Sequence, residues 1–386
     1  MTRRDHWKLR LSRRDWLLTT AALLAGCGGG GGGASIGAAL PGTGGTGIGV
    51  QGPITGFGSV IVNNTTFDDS AATVLLDDVQ RSRADLRIGM VANIKGQRDE
   101  SGATGSAERI EIWSIAKGLV TQAPSGTRFA LAGMDIETDS ATAYEGLPNL
   151  AAITVGMPLA VWGLQLSADA RSWKATRVAL LPLAPATVST GLLQISNRSF
   201  TLNGMTLTGS SLAAFADGQL LRVEGSLSLG QLAVSRATAV GTELLVPQSG
   251  DVELEGLVTA VSTPTRFVLG SVTVDVSQAS VSPANQTVSV NARVEVYGAL
   301  QNGVLRATKL EIKSGTEGTR LDITATIESF DSVSEFEIRG QHCDASQATI
   351  RSGSLSALRK GVKVRVVGIA GGEERLTVTD LYIGVP

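Results

Sequence analysis

The chain is poor in the side chains on which most enzymes and metalloproteins depend. Its 386 residues include two histidines, His6 and His342, and two cysteines, Cys27 and Cys343. None of the spacings that assemble a zinc site or a catalytic metal triad is present, so neither a metal ligand nor a metal cofactor is expected. Aromatic residues make up 4% of the chain, too few for a core built on stacked rings. Beyond residue 50 no stretch sustains a period of 3.6 residues, which argues against a helical domain. Acidic and basic side chains nearly balance at a formal charge of −2. The basic footprint of a nucleic-acid partner is therefore missing.

What is abundant is glycine, 47 in all, and it is placed periodically. A glycine, six residues and a second glycine recur five times, the second falling at Gly96, Gly163, Gly225, Gly298 and Gly368. The first stands at Gly89, Gly156, Gly218 and Gly361, with Asn291 in the fourth copy. Asparagine shares some of glycine's tolerance of positive φ. Two and four places before the second glycine stand apolar side chains, as in Val294 and Val296, with Asn93, Ala160, Arg222, Glu295 and Arg365 between them. Alternation of period two marks a half-buried strand.

Each copy opens with another strand, such as ITGFGSVIV from Ile54 or ELEGLVTAV from Glu253, and contains a hairpin turn such as Asn203-Gly204. It closes on a last strand, such as LRATKLEIK. Short stretches such as RSRADLRIG from Arg81, SSLAAFADG from Ser210 and SGSLSALRKG from Ser352 suit a helical turn before the long glycine-ended strand. A unit of this size has a thin core and needs its sheet edges closed. The expectation is an all-β chain of five small antiparallel barrels of the OB type, with a two-sheet sandwich as the alternative. The units are set at residues 51–114, 115–186, 187–249, 250–318 and 319–386, behind a signal over 1–26 and a glycine-rich tether over 27–50.

The first 26 residues read as an address. Six basic residues precede the apolar run Trp16 to Leu24, which is too short to span a bilayer. Leu24-Ala25-Gly26-Cys27 resembles a bacterial lipobox, which implies lipidation of Cys27. Ser12-Arg13-Arg14-Asp15-Trp16-Leu17 resembles the twin-arginine export motif, with general export as the alternative. Gly28 after the lipidated cysteine implies sorting to the outer membrane. Cleavage removes six basic and two acidic side chains, taking the charge from −2 to −6. Membrane attachment then rests on acyl chains, and no disulfide can form within the mature chain.

Several residues invite chemistry and have a plainer reading. His342 and Cys343 are neighbours in a strand and so face opposite ways, which makes Cys343 a core residue rather than an activated thiol. Asp68-Asp69 and Asp77-Asp78 lack a calcium loop and read as solvated turn charges. Gly56-Phe57-Gly58-Ser59 lacks the helix and lysine of a phosphate cradle and reads as a strand kink. The recurrent Arg109, Arg177, Arg236 and Lys309, replaced by Asp380 in the fifth copy, read as solvent-facing strand positions. Trp113, Trp162 and Trp173 place any stacking surface on the first two units.

ITGFGSVIVNNTTF, ADLRIGMVANIKG and SAERIEI together resemble an uncharacterised family of bacterial exported proteins, a domain of unknown function that occurs in tandem behind lipoprotein signals. The resemblance implies OB-like barrels in the cell envelope. It carries no catalytic or cofactor-binding residues, and none are assigned. The function expected is a lipid-anchored binding or scaffold protein with an envelope protein or polysaccharide as partner. The alternative is an envelope hydrolase whose acidic site forms only in the fold.

Overall fold

In a computed structural model the residues described are 46–100, 102–240, 251–313, 319–370 and 375–385. Cys27, Arg13, Arg14, the signal and most of the tether lie outside them. The described residues are strands joined by tight turns and single 3-10 turns, and they form five small closed barrels. Barrel 4 shows the plan. Its long first strand, Asp251–Thr263, runs into a hairpin of Arg266–Leu269 and Val272–Asp275. After the short strand Ser280–Ser282 come the glycine-ended strand Arg293–Gln301 and the closing strand Val304–Ile312.

The first strand pairs with the hairpin on one side and with Arg293–Gln301 on the other, so the ring closes. Four of the five junctions are antiparallel. The third strand meets the closing strand in parallel, Thr273 beside Val304, and the same parallel junction recurs in every barrel. This departs from the expected all-antiparallel unit for a topological reason. A ring with an odd number of staves cannot alternate direction all the way round.

Each core is a small set of crossed apolar pairs. Phe267 lies opposite Val274, Phe129 opposite Ile136, Phe200 opposite Leu207 and Phe336 opposite Cys343. In barrel 1 the large and small partners exchange places, as Val60 opposite Phe67. Total volume is thereby kept while the strand carrying the ring changes. Cys343 is buried, as a core cysteine should be, and burial pushes its thiol up. Single 3-10 turns at Arg83–Asp85, Leu150–Ala152, Ser210–Ala214 and Leu355–Ala357 precede the glycine-ended strands.

The two recurrent glycines do different work. Gly89, Gly156, Gly218 and Gly361 have φ of 79, 86, 75 and 88°, and Asn291 adopts 68° in the same turn. The second set sits where the glycine-ended strand shifts register against the closing strand, a bulge repeated in all five copies. There the neighbouring strand's carbonyl oxygen, that of Ser106, Lys174, Ala233, Arg306 or Thr377, occupies the space a Cβ would need. The bulge tightens the bend of a narrow barrel, and only glycine lets the two backbones approach so closely.

The barrels are not beads on a string. The first strand begins at Thr46 rather than at residue 51, and Ile48 and Val50 are core residues. The Gly-Ile-Gly-Val run continues the inward alternation that its glycine content disguised. Ile48 to Gln51 pair in parallel with Asp251 to Leu254 of barrel 4, and Gly56 and Phe57 with Asp322 and Ile323 of barrel 5. Val188 of barrel 3 pairs with Lys117 of barrel 2. Residues 43–386 accordingly cluster as one compact unit.

Candidate functional site

The outward faces of the strands, read in the sequence as solvated, form the seams between barrels. Arg177 is the clearest case. Its side chain is 0% exposed, and its guanidinium donates to the Ile88 carbonyl of barrel 1 at 3.0 Å and to Glu145 of its own barrel. A longer bond of 3.5 Å reaches the Gly340 carbonyl of barrel 5. Burial lowers its affinity for a proton, and Glu145 works against that. Burial likewise opposes ionisation of Glu145, but Arg177 and then Arg87 outweigh it and hold the carboxyl below its usual range. Arg109, Arg236 and Lys309 do stay exposed and Asp380 is half-buried; they pair with Glu111, Asp78, Glu311 and Arg351 in turn.

A second seam is built on the turn Asp77-Asp78, whose φ of 48 and 65° close a hairpin unique to barrel 1 among the described residues. Asp77 is no solvated turn charge. It accepts from Arg222 of barrel 3 at 2.6 Å, from the Ser114 amide at 2.9 Å and from Lys117. Arg222 also donates to the Ser114 carbonyl at 2.9 Å. Asp78 accepts from Arg236 at 2.6 Å and from the Trp113 indole at 3.1 Å. Asp69 is buried against Arg83, whereas Asp68 caps the Ser70 amide.

The third seam joins barrels 1 and 4 and carries most of the buried acid. Glu253 and Glu295, on adjacent strands of barrel 4, have side chains 4% and 9% exposed. Arg98 of barrel 1 pairs with Glu253 and Lys313 with Glu295. Glu255 pairs with Arg293, and Tyr297 donates to Asp251. Burial, then a hydrogen bond shared with Glu295, pushes Glu253 up to about 8, against the pull of Arg98. Lys313 is held above its usual range because its pairing with Glu295 and Glu311 outweighs burial.

Among the described residues, the tryptophans are buried or half-buried rather than displayed as a platform. Trp162 and Trp173 are buried, and Trp173 donates to the Ala170 carbonyl at 2.8 Å. Trp113 is half-buried against Asp78. Gly56 to Ser59 form a kink packed on barrel 5, where the Asp322 carbonyl fills the space beside Gly56. Among the described residues no group of three or more His, Cys, Asp or Glu side chains could hold a metal.

A cleft of about 490 Å³ opens where barrels 2, 3 and 4 meet, lined in part by Gln165, Leu192, Leu220, Thr259 and Val272. Its lining carries no acid, base or aromatic ring. Thr259 and Gln165 are committed to the carbonyls of Gly270 and Ser167. The lining thus offers apolar and neutral polar groups and no side chain suited to proton transfer.

Arg177, Arg222 and the Glu253–Glu295 pair were the residues hardest to find in the sequence. A weak signal exists in Ala160, which takes the outward position that is polar in every other copy and packs against barrels 1 and 5.

No curated protein matches the chain. Among solved structures it is similar to one described as Drosophila Unr CSD456, with 9% identity over 69% of this chain and 96% of that one. The TM-score is 0.15. A family model, that of a domain of unknown function (DUF5666), matches residues 51–111, 117–179 and 255–311. The chain is thus a tandem array of β-barrels, and the model of that domain matches barrels 1, 2 and 4.

Proposed function

We propose that this protein is a lipid-anchored scaffold of the bacterial cell envelope, exported through Arg13 and Arg14 and held at the outer membrane by acyl chains on Cys27. Its barrels present a fixed surface to an envelope protein or polysaccharide, and nucleic acid is not a partner. The observation that carries this reading is the fate of the charged wall residues. Arg98, Arg177, Arg222 and Glu253 are spent on joining barrels to one another, while the cleft is lined by neutral groups. Such an arrangement stiffens an array and leaves a contact surface, which is what a spacer or binding module requires.

Replacing Cys27 by Ser tests the anchor. Among the described residues no helix is long and apolar enough to cross a membrane, and stable attachment through lipid needs the acylated cysteine. The variant is expected in the soluble fraction after a high-salt wash and without incorporated fatty acid. Retention in the membrane fraction would refute anchoring through Cys27. The hydrolase reading rests on the Glu253–Glu295 pair, since two carboxyls held together, one of them with its affinity for a proton raised by burial, are an acid–base arrangement. The pair lies inside a seam, so hydrolysis would require the seam to open toward a substrate.

A further inference from the structure

We propose that the seam between barrels 1 and 4 is a proton-operated latch, closed while the Glu253 carboxyl holds a proton beside Glu295 and loosened when that proton leaves. Two carboxyls on adjacent strands are buried together beneath Arg98 of the neighbouring barrel. The Oε2 of each meets a cation, Arg98 or Lys313, without a well-aligned hydrogen bond. With both ionised, the pair would hold two like charges out of water beside incomplete compensation. A proton on Glu253 removes that conflict by making its carboxyl a donor to Glu295.

The surrounding charges do not supply another partner. Barrel 4 brings Asp251, Glu255, Arg293, Tyr297, Lys309, Glu311 and Lys313 to this wall, and barrel 1 brings Arg98. Arg293 is paired with Glu255, Lys309 with Glu311, and Lys313 is divided between Glu295 and Glu311. The stretch Ile48 to Gln51, which lies alongside Asp251 to Leu254, contributes no titratable side chain. Arg98 alone is left to neutralise Glu253 from across the seam. Separating the barrels would return Glu253 to water and to an ordinary carboxylate affinity.

The sign follows from which state binds the proton. The closed seam keeps it up to about pH 8, whereas an opened seam releases it near the ordinary range of about 4.3. Between these limits each rise of one pH unit favours opening by up to about tenfold, the slope for one proton. Below that window the stabilisation is fully present, and it is lost as pH rises through the upper limit.

Hydrogen exchange of the full chain, corrected for the intrinsic effect of pH, reads the opening at the ladder between Ile48–Gln51 and Asp251–Leu254. The expected result is an opening constant that climbs between pH 5 and 8 in the natural protein and stays flat in Glu253→Gln, which keeps a neutral donor beside Glu295. The ladder between barrels 1 and 5 at Gly56 and Phe57 should remain flat in both. Equal slopes in the two proteins, or an equal slope at the second ladder, would overturn the latch. If the variant does not fold, the carboxyl carbon of Glu253 in the natural protein decides the matter by NMR. A midpoint near 4.3 would overturn the proposal, and one well above 6 would support it.

Discussion

Gly225 shows how narrowly a single residue can be specified by its neighbours. Its backbone is not in the left-handed region, so glycine's conformational freedom is not what the site uses. The Ala233 carbonyl oxygen occupies the place of the missing Cβ, with the Ala233 and Val234 backbones close behind. Backbone cannot swing aside as a flexible side chain would. Gly225→Val should destabilise barrel 3 by about 1–3 kcal/mol through displacement of the bulge. Denaturant unfolding checks the size, and a midpoint like that of the natural protein would remove the close approach as the reason for this glycine. The same argument holds at Gly96, Gly163, Gly298 and Gly368, where the blocking atom is again a cross-strand carbonyl oxygen.

At the scale of strands and turns, much of the molecule was legible because short-range physics writes itself in short periods. Alternation located the first and glycine-ended strands, and Asn203-Gly204 marked a hairpin whose φ are 49 and 78°. Asn291 was read as a stand-in for glycine, and its φ of 68° is that of the turn it occupies. Asn291→Gly should therefore change stability by no more than about 0.5 kcal/mol, whereas Asn291→Val should cost about 1–2 kcal/mol for a left-handed branched residue. Thermal unfolding of the two variants checks this, and equal effects would mean that the turn does not hold that φ. What alternation does not report is the far side of the wall. It measures distance from a strand's own core, so Arg222, facing barrel 1, looks the same in sequence as Arg365, which pairs with Asp322 of its own barrel. Ile48 and Val50 were missed for the opposite reason, because glycines between them made a strand resemble a tether.

On the scale of the whole molecule, barrel 1 is the hub. It shares ladders with barrels 4 and 5, accepts Arg177 and Thr176 of barrel 2 on the carbonyls of Ile88 and Gly89, and receives Arg222 and Arg236 of barrel 3 on its aspartate turn. Gly89 belongs both to its own turn, with φ of 79°, and to a seam, since the Thr176 carbonyl blocks the place of its Cβ. Gly156, Gly218 and Gly361 have open space there instead. Independence of the five units, which tandem repetition suggests, is not what such seams produce. Arg177→Ala tests the coupling, because this one guanidinium bonds barrels 1, 2 and 5 together. Its removal strips a donor from buried carbonyls and leaves a cavity, and should cost about 3 kcal/mol. Arg177→Met should cost less, about 1 kcal/mol, because an apolar chain fills the space. Glu145, one third exposed, keeps Arg87 as a partner at 3.5 Å. Hydrogen exchange should rise together around Ile88 in barrel 1, Val178 in barrel 2 and Gly340 in barrel 5. A rise confined to barrel 2 would show that the barrels stand alone and that the buried arginine serves only its own wall.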